Sequence, residues 1–512
     1  MQPPVFWGGK AKMSKFHRRV EKLAGKITNL IVLPLVIALV FSVGAPDMAC
    51  AVDGVKEDDP FYRKFWPLGH RVPVETLKKE YVPFKSLGDI PRRPELFLEI
   101  GDPFLDTGKL DAGFEVPVLG AVWQPRMWSY FIHRTALQSF DNGNEGRLRD
   151  TEWANRLDLF ANLQLTGTEK ILLGLRPVDN NRPDRFTRYT FDGADKDFKN
   201  ELGLDIETLF FEGDIGSLIP NLDKAGIRPV DFGFAVGRQP ITFQEGILIN
   251  DTVDSVGFIR NNIPLTGTSN FKVSGMYAWD RLDRNDRSRG ADTNMYALFS
   301  AADLSTSTLN LDMIYVNDNS DNGDAFYIGA SSIQRLKSFF GMSTAFRINS
   351  SISIDEEIPD NVVGDGTLLT AEFSITPSES EDIAYFNPFV SVGNFTQAGR
   401  EPILGGPLAN TGILFASPNL STYGAEISPF VDDDVGFALG YQAFWDNRRR
   451  NLVLEMAGRH DFSGDGIDQF GLGFQLQQAV GQHVQLQLEG FHTLNERQDD
   501  AFGGRFEILF VY

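Results

Sequence analysis

After about residue 120, apolar and polar residues alternate along the chain with a period of two. In residues 156–165, Leu157, Leu159, Ala161, Leu163 and Leu165 share one face, while Arg156, Asp158, Asn162 and Gln164 share the other. That period marks a strand whose two faces meet different environments. The pattern recurs with Phe232, Phe234 and Val236, with Phe271, Val273, Tyr277 and Trp279, and with Leu309, Leu311, Met313 and Tyr315. It returns with Met342, Phe346 and Ile348, with Ala371, Phe373 and Ile375, with Phe470, Leu472 and Phe474, and with Val484, Leu486 and Leu488. The last strand, 504–512, sets Phe506, Ile508, Phe510 and Tyr512 on one face and Arg505 and Glu507 on the other.

Short turns (166–168, 304–307, 479–482) are interleaved with long polar connections (179–184, 281–290, 317–324, 351–366, 394–422). Short turns at one end and long loops at the other fit an antiparallel up-and-down transmembrane β-barrel of about eighteen strands. A soluble sandwich of this length would divide into domains with linkers, and no linker breaks the texture after residue 120. The expected class is all-β, with the barrel over 119–512. Trp128, Tyr130, Trp279, Tyr315, Tyr441 and Trp445 fall near strand ends, where an interfacial girdle is expected.

The first 118 residues differ. Residues 1–51 read as a secretory signal: a basic start, one apolar run over 30–43, and a small-x-small cleavage site at Ala49-Cys50-Ala51. Translation from Met13 would give a more ordinary basic region, and Cys50 fits a lipoprotein site poorly beside Asp47 and Met48. Residues 52–118 carry Pro60, Pro67, Pro73, Pro83, Pro91 and Pro94 with mixed charge. They are expected to form a Pro-rich periplasmic extension or plug that serves as a linker or meets a periplasmic partner.

Composition narrows the picture. The 512 residues are 42% hydrophobic, which excludes a bundle of apolar helices but not a barrel, whose strands need only one apolar face. The sole cysteine, Cys50, lies at the cleavage site, so the mature chain is expected to hold no disulfide. Net charge is −21 overall, and the segment after residue 51 stands at −26, which argues against nucleic-acid binding. No cofactor or metal motif emerges. Gly101 and Gly108-Lys109 lack phosphate-loop spacing, and 318–324 begins like a calcium loop but has Gly329 where the closing Glu belongs.

With the apolar face toward outer-membrane lipid, the polar face lines a lumen. The lining set is Arg156, Asp158, Lys272, Asp312, Arg347, Glu372, Glu426, Arg459, Glu489, Arg505 and Glu507. So polar an inner face is expected to hold water rather than a dry core, narrowed by one or more long loops. Each charge would either touch a solute or brace the wall in a salt-bridge ladder. Gly237-Arg238-Gln239 at a strand end, followed by 243–251, resembles the Gly-Arg-Gln strand end and inward loop of alginate-export-type and related substrate-specific porins. The aromatic terminal residue resembles the signal by which Gram-negative cells recognise barrels for insertion.

The resemblance implies a Gram-negative outer-membrane porin passing small or polyanionic hydrophilic solutes. Arg238, Gln239, Gln244 and Glu245 are its candidate loop constriction, although strict alternation puts Arg238 beside Val236 on the lipid face unless a bulge at Gly237 turns it. Two other classes compete. A barrel scaffold could sheathe a partner such as a cytochrome, with any haem belonging to that partner. An outer-membrane hydrolase would need a His in a catalytic set, and His70, His133, His460, His483 and His492 sit in no such motif. The expectation is a non-enzymatic channel.

Overall fold

The computed structural model describes residues 95–512 except 102–112, 142–148, 180–185, 194–195, 223–230, 285–292, 319–321, 337–341, 355–361, 378–379, 402, 422 and 465. The expected signal and most of the Pro-rich extension lie outside the described residues. The alternating stretches form one closed antiparallel barrel of 18 strands.

In chain order these are β1 Arg126–Asp141, β2 Asp150–Gln164, β3 in two pieces (Lys170–Leu175 and Thr187–Asp192), and β4 in two pieces (Phe198–Lys199 and Ile206–Asp214). There follow β5 Gly233–Phe243, β6 Ile249–Arg260, β7 Asn270–Asp280, β8 Thr293–Asp303 and β9 Ser307–Asp318. Next come β10 Ala325–Leu336, β11 Met342–Ser353, β12 Gly366–Ile375, β13 Ile383–Gly393 and β14 Asp434–Trp445. The last four are β15 Arg450–Asp461, β16 Gln469–Val480, β17 Val484–Asn495 and β18 Ala501–Val511. Most span 11 or 12 residues, about 40 Å of strand, enough to cross the apolar layer at a barrel tilt.

Closure is made by β18 on β1, in register from Phe502 opposite Asp141 to Val511 opposite Ile132. This joins the two ends of the sheet and leaves no edge. The described residues Leu98–Ile100 then pair with Met127–Ser129 of β1, continuing the line of β18 beyond Tyr512. Phe97 packs edge-on against Phe131, which stacks on Tyr512. Part of the segment read as an extension is therefore a short strand docked on the seam.

Three connections depart from the short-and-long plan. β3 breaks off after Leu175 and resumes at Thr187, and both of its pieces pair with β2. Pro177 cannot donate to the ladder, and Arg176 before it is buried among acidic partners. A long connection carrying the helix Ile215–Leu218 lies at the end of the barrel where Tyr512 lies, the terminal end. At the opposite end, a short turn over 244–248 joins β5 and β6.

The outward face is apolar: Leu298, Leu369, Phe386, Leu454, Leu472 and Leu488 stand exposed on it. Tyr277, Trp279, Tyr296 and Tyr315 form a contiguous aromatic row across β7–β9 at the end opposite Tyr512. Tyr441 and Trp445 lie on the outward face of β14 toward the terminal end. Trp128 and Tyr130 do not join a girdle. They share the inward face of β1 with Arg134 and Gln138, where Trp128 is buried and Tyr130 stacks on Phe160.

The inner space differs from the expected wet lumen in one respect. Its opposite half contains an apolar core, built by the long connection 394–433, which folds inward. Phe395, Leu408, Leu414, Phe415 and Ile427 from this loop pack with Ala438 and Ala457 of the wall. Ala398 joins a second cluster with Leu248, Ala278, Met295 and Tyr327. The small wall residues make room: a Cβ at Gly473 would lie 2.7 Å from Leu414. Greasy residues in a connection thus bury themselves against alanine and glycine on strands whose inner face reads as polar.

Candidate functional site

Two pieces fold into the barrel, the loop 394–433 and the turn 244–248. The turn begins with Gln244, Glu245 and Gly246 at φ of 54°, 55° and 82°. This left-handed run throws the turn into the lumen. There Gln244 Nε2 donates to Asp312 on β9 at 2.6 Å, and Glu245 lies 3.7 Å from Arg347 on β11. The loop pairs with the turn through its backbone: Ala398 N donates to Leu248 O at 2.9 Å, Asn250 N to Gly399 O at 3.0 Å and Glu401 N to Asn250 O at 3.0 Å. Asn410 Nδ2 donates to Glu245 O at 2.6 Å, and Gln397 donates to Gly246 O.

The wall then holds the loop by its main chain. Arg134 donates to Pro418 O at 2.9 Å, Arg156 to Asn419 O at 3.1 Å, and Gln138 to Leu420 O at 3.3 Å. Arg459 donates to Ser428 O and Phe430 O at 2.8 and 2.7 Å and pairs with Asp434. Glu455 accepts from Ile413 N and Leu414 N at 2.9 Å each and from the Tyr385 hydroxyl. Backbone groups of a buried loop need such partners, because an unmade hydrogen bond there costs about 1–3 kcal/mol.

Two of the anchors, Arg134 and Arg156, belong to one charged row, while Arg459 and Glu455 stand apart on β15. Arg505 bridges Glu489 and Glu507, Arg134 clasps Glu507 at 2.5 and 3.0 Å, Arg156 and Arg176 both hold Asp158 at 2.8 Å, and Arg176 reaches Glu401 of the loop at 3.2 Å. The row runs along β17, β18, β1 and β2 into the interruption of β3. It brings together Arg156, Asp158, Glu489, Arg505 and Glu507 from the sequence set. Arg134, Arg176, Glu401 and Glu455 were missed. Arg134 shares a two-residue period with Ala136 and Gln138, and Arg176 sits where Pro177 ends a strand; those were the available signals.

Across the barrel the wall is more open. A cavity of about 380 Å³ is lined by Phe243, Gln244, Glu245, Lys272, Asp312 and Arg347, with Ser274, Ser300, Asn310 and Ser331. A second space of about 430 Å³, nearer the terminal end, shares Phe243, Ile259, Ser274 and Phe299 with it. Lys272 is exposed in this lane and makes no ion pair among the described residues. Arg347 is bonded to Glu372.

Three sequence-named residues sit elsewhere than expected. Glu426 is on the inward loop, not on the wall. Burial, with the charge of Glu489 beside it, pushes its carboxyl well above the usual carboxylate range. Arg238 does not reach the constriction. The register of β5 on β6 runs through Gly237 without a shift, so Arg238 stays on the outward face with Val236, paired with Asp254 at 2.8 Å. Gly237 does adopt φ of 123°, but a Cβ there would lie 2.4 Å from Leu209 O, so the glycine serves a close approach to β4 rather than a bulge. Gln239 points inward but is tied to the wall by Ser255 at 2.8 Å.

No protein-family model matches the chain, and no curated protein matches it. Solved structures do. A BenF-like porin from Pseudomonas fluorescens Pf-5 is 11% identical, with a TM-score of 0.52, over 75% of this chain and 98% of that one. Acinetobacter baumannii OccAB3 is 13% identical, with a TM-score of 0.49, over 75% of this chain and 99% of that one. Pseudomonas aeruginosa OccK2 (OpdF), solved in complex with glucuronate, is 11% identical, with a TM-score of 0.49, over 75% of this chain and 97% of that one. The chain has the fold of the BenF-like porin, a closed barrel of 18 strands.

Proposed function

We propose that the chain is an outer-membrane channel for small hydrophilic solutes, with the terminal end facing the periplasm. The observation that carries this reading is the asymmetric lumen. A self-anchored loop fills one side, and a polar lane with an uncommitted ammonium group at Lys272 remains on the other. A solute descending the lane meets Glu245 and Gln244 on the turn, then Lys272 and Asp312 on the wall, with hydroxyls of Ser274 and Ser331 between them. Lys272 favours anionic groups, and the neighbouring carboxylates restrict the anion to one that offers further hydrogen bonds. The residues act by position and charge and make no covalent bond.

A sheath around a partner is disfavoured by the same geometry, because the loop occupies the space a threaded polypeptide would need. The test is conductance of the purified protein in planar bilayers under a KCl gradient. Lys272→Glu is expected to move the reversal potential toward cation preference while leaving step size within about twofold. An unchanged reversal potential would remove Lys272 from the lane.

A further inference from the structure

Beneath the loop, on the side away from Lys272, lies a smaller cavity of about 160 Å³ between loop residues 413–418 and strands β16, β17, β18 and β1. Its charged lining comprises Glu426, Glu489, Arg505 and Arg134. The wall charges satisfy one another. Glu489 receives both arms of Arg505 and the amides of Gln475 and Gln487, and Glu507 receives Arg134 and Arg505. Two carboxylates and two guanidiniums make that set neutral. Glu426 is the surplus group: the Tyr423 hydroxyl lies beside its carboxyl, but no cation is paired with it alone. A buried carboxylate without a cation of its own demands a proton or a cation.

We propose that this cavity binds a primary alkylammonium group, carried by a small organic amine, in exchange for a proton on Glu426. The acceptor set favours this ligand over a metal ion, which needs six or more oxygens. The cavity offers one surplus carboxyl, Glu426, whereas the oxygens of Glu489 are engaged by Arg505 and those of Gln475 and Gln487 accept from Gln477. Ile413, Leu414, Phe474 and Phe491 supply apolar surface for the alkyl chain. The exchange is balanced: the neutral carboxylic acid releases one proton to solvent, and the ammonium takes its place as counter-charge. The groups facing Glu426 are Glu489 and Arg505 from the wall, Glu455 behind the loop, and Tyr423 on the loop itself. Burial holds the free carboxyl in its protonated form into the range where exposed carboxylates have ionised.

The inference deepens the channel reading by giving the lumen a cationic subsite, yet its test needs no current. Infrared difference spectra of the full-length protein in detergent are taken while n-butylammonium chloride is added at neutral pH. A protonated carboxylic-acid band is expected to disappear with saturation. Glu426→Gln is expected to lack both the band and the response, with butylammonium affinity weaker by about tenfold. Glu426→Asp is expected to keep the band. Persistence of band and affinity in Glu426→Gln would overturn the assignment, as would a wild type with no such band. KCl removing the band as strongly as butylammonium would overturn the choice of ammonium. A protein silent in bilayers but responsive here would sink the channel reading alone.

Discussion

The two sides of the lumen use the same residue types to different ends. On the side of β17, β18, β1 and β2, the wall charges named here are matched: Arg505 pairs with Glu489 and Glu507, Arg134 with Glu507 and Arg156 with Asp158, and Arg134 and Arg156 spend a remaining donor on loop carbonyls. On the side of β7–β11, Arg347 is matched by Glu372, but Lys272 makes no salt bridge among the described residues, feels Asp312 only through space and faces the cavity. The matched row is a brace. It fixes a loop that leaves the wall at β13 and returns at β14, and so decides where the lane can be. The unmatched side is where a solute can find a partner. A charged residue in a barrel lumen therefore declares little by its type; whether its partners are already supplied decides its role.

That contrast sets the expected effects. The largest belongs to Arg505→Ala, which strands Glu489 without a cation in a buried setting and leaves Glu507 with Arg134 alone. Denaturant unfolding of the refolded barrel is expected to show a loss of about 3–5 kcal/mol, against less than about 0.5 kcal/mol for Lys272→Ala. Equal losses would erase the distinction between brace and lane. Arg459→Ala comes next: it frees Ser428 O and Phe430 O and is expected to loosen the loop, giving noisier and larger conductance steps with a stability cost of about 1–3 kcal/mol. Steps identical to wild type would mean the loop does not depend on that anchor.

The pH response of Glu426 is smaller. Its carboxyl is held protonated in the fold above the pH at which it ionises in the unfolded chain. The folded state thus binds more protons in that window, and stability falls as pH rises from the ordinary carboxylate range through the raised value. Glu426→Gln is expected to flatten this slope, read as unfolding midpoints across pH. Smallest is Arg238→Ala, which removes a rim pair with Asp254 on the outward face and is expected to cost about 0–1 kcal/mol without altering ion selectivity. A selectivity change there would place Arg238 back in the constriction.

Much of the barrel was legible because its information is local. Residues 156–165 declare two faces through a period of two, and 504–512 do the same. The loop was legible as a length but not as a structure. Its anchors join positions hundreds of residues apart, as with Arg134 and Pro418 or Arg156 and Asn419, and no local period encodes such a meeting. Leu408, Leu414, Phe415 and Ile427 were the one hint, since a connection bound for water has no need of them. Alternation also misplaced nothing at Arg238: the simple outward reading holds, and the motif resemblance drew attention inward. The interruption of β3 was hidden because Pro177 and its polar neighbours read equally well as a hairpin loop.

The central claim is that one side of the lumen stays open as a solute lane while the braced loop closes the other. Single-channel conductance of the refolded protein in planar bilayers, compared with a variant in which 404–430 is replaced by a short Gly-Ser bridge, tests it most directly. The account predicts small, stable steps in the wild type and steps several-fold larger in the shortened variant, because conductance follows the open cross-section. A wild type that never conducts, with a shortened variant that does, would show the loop to be a complete plug and would contradict the open lane.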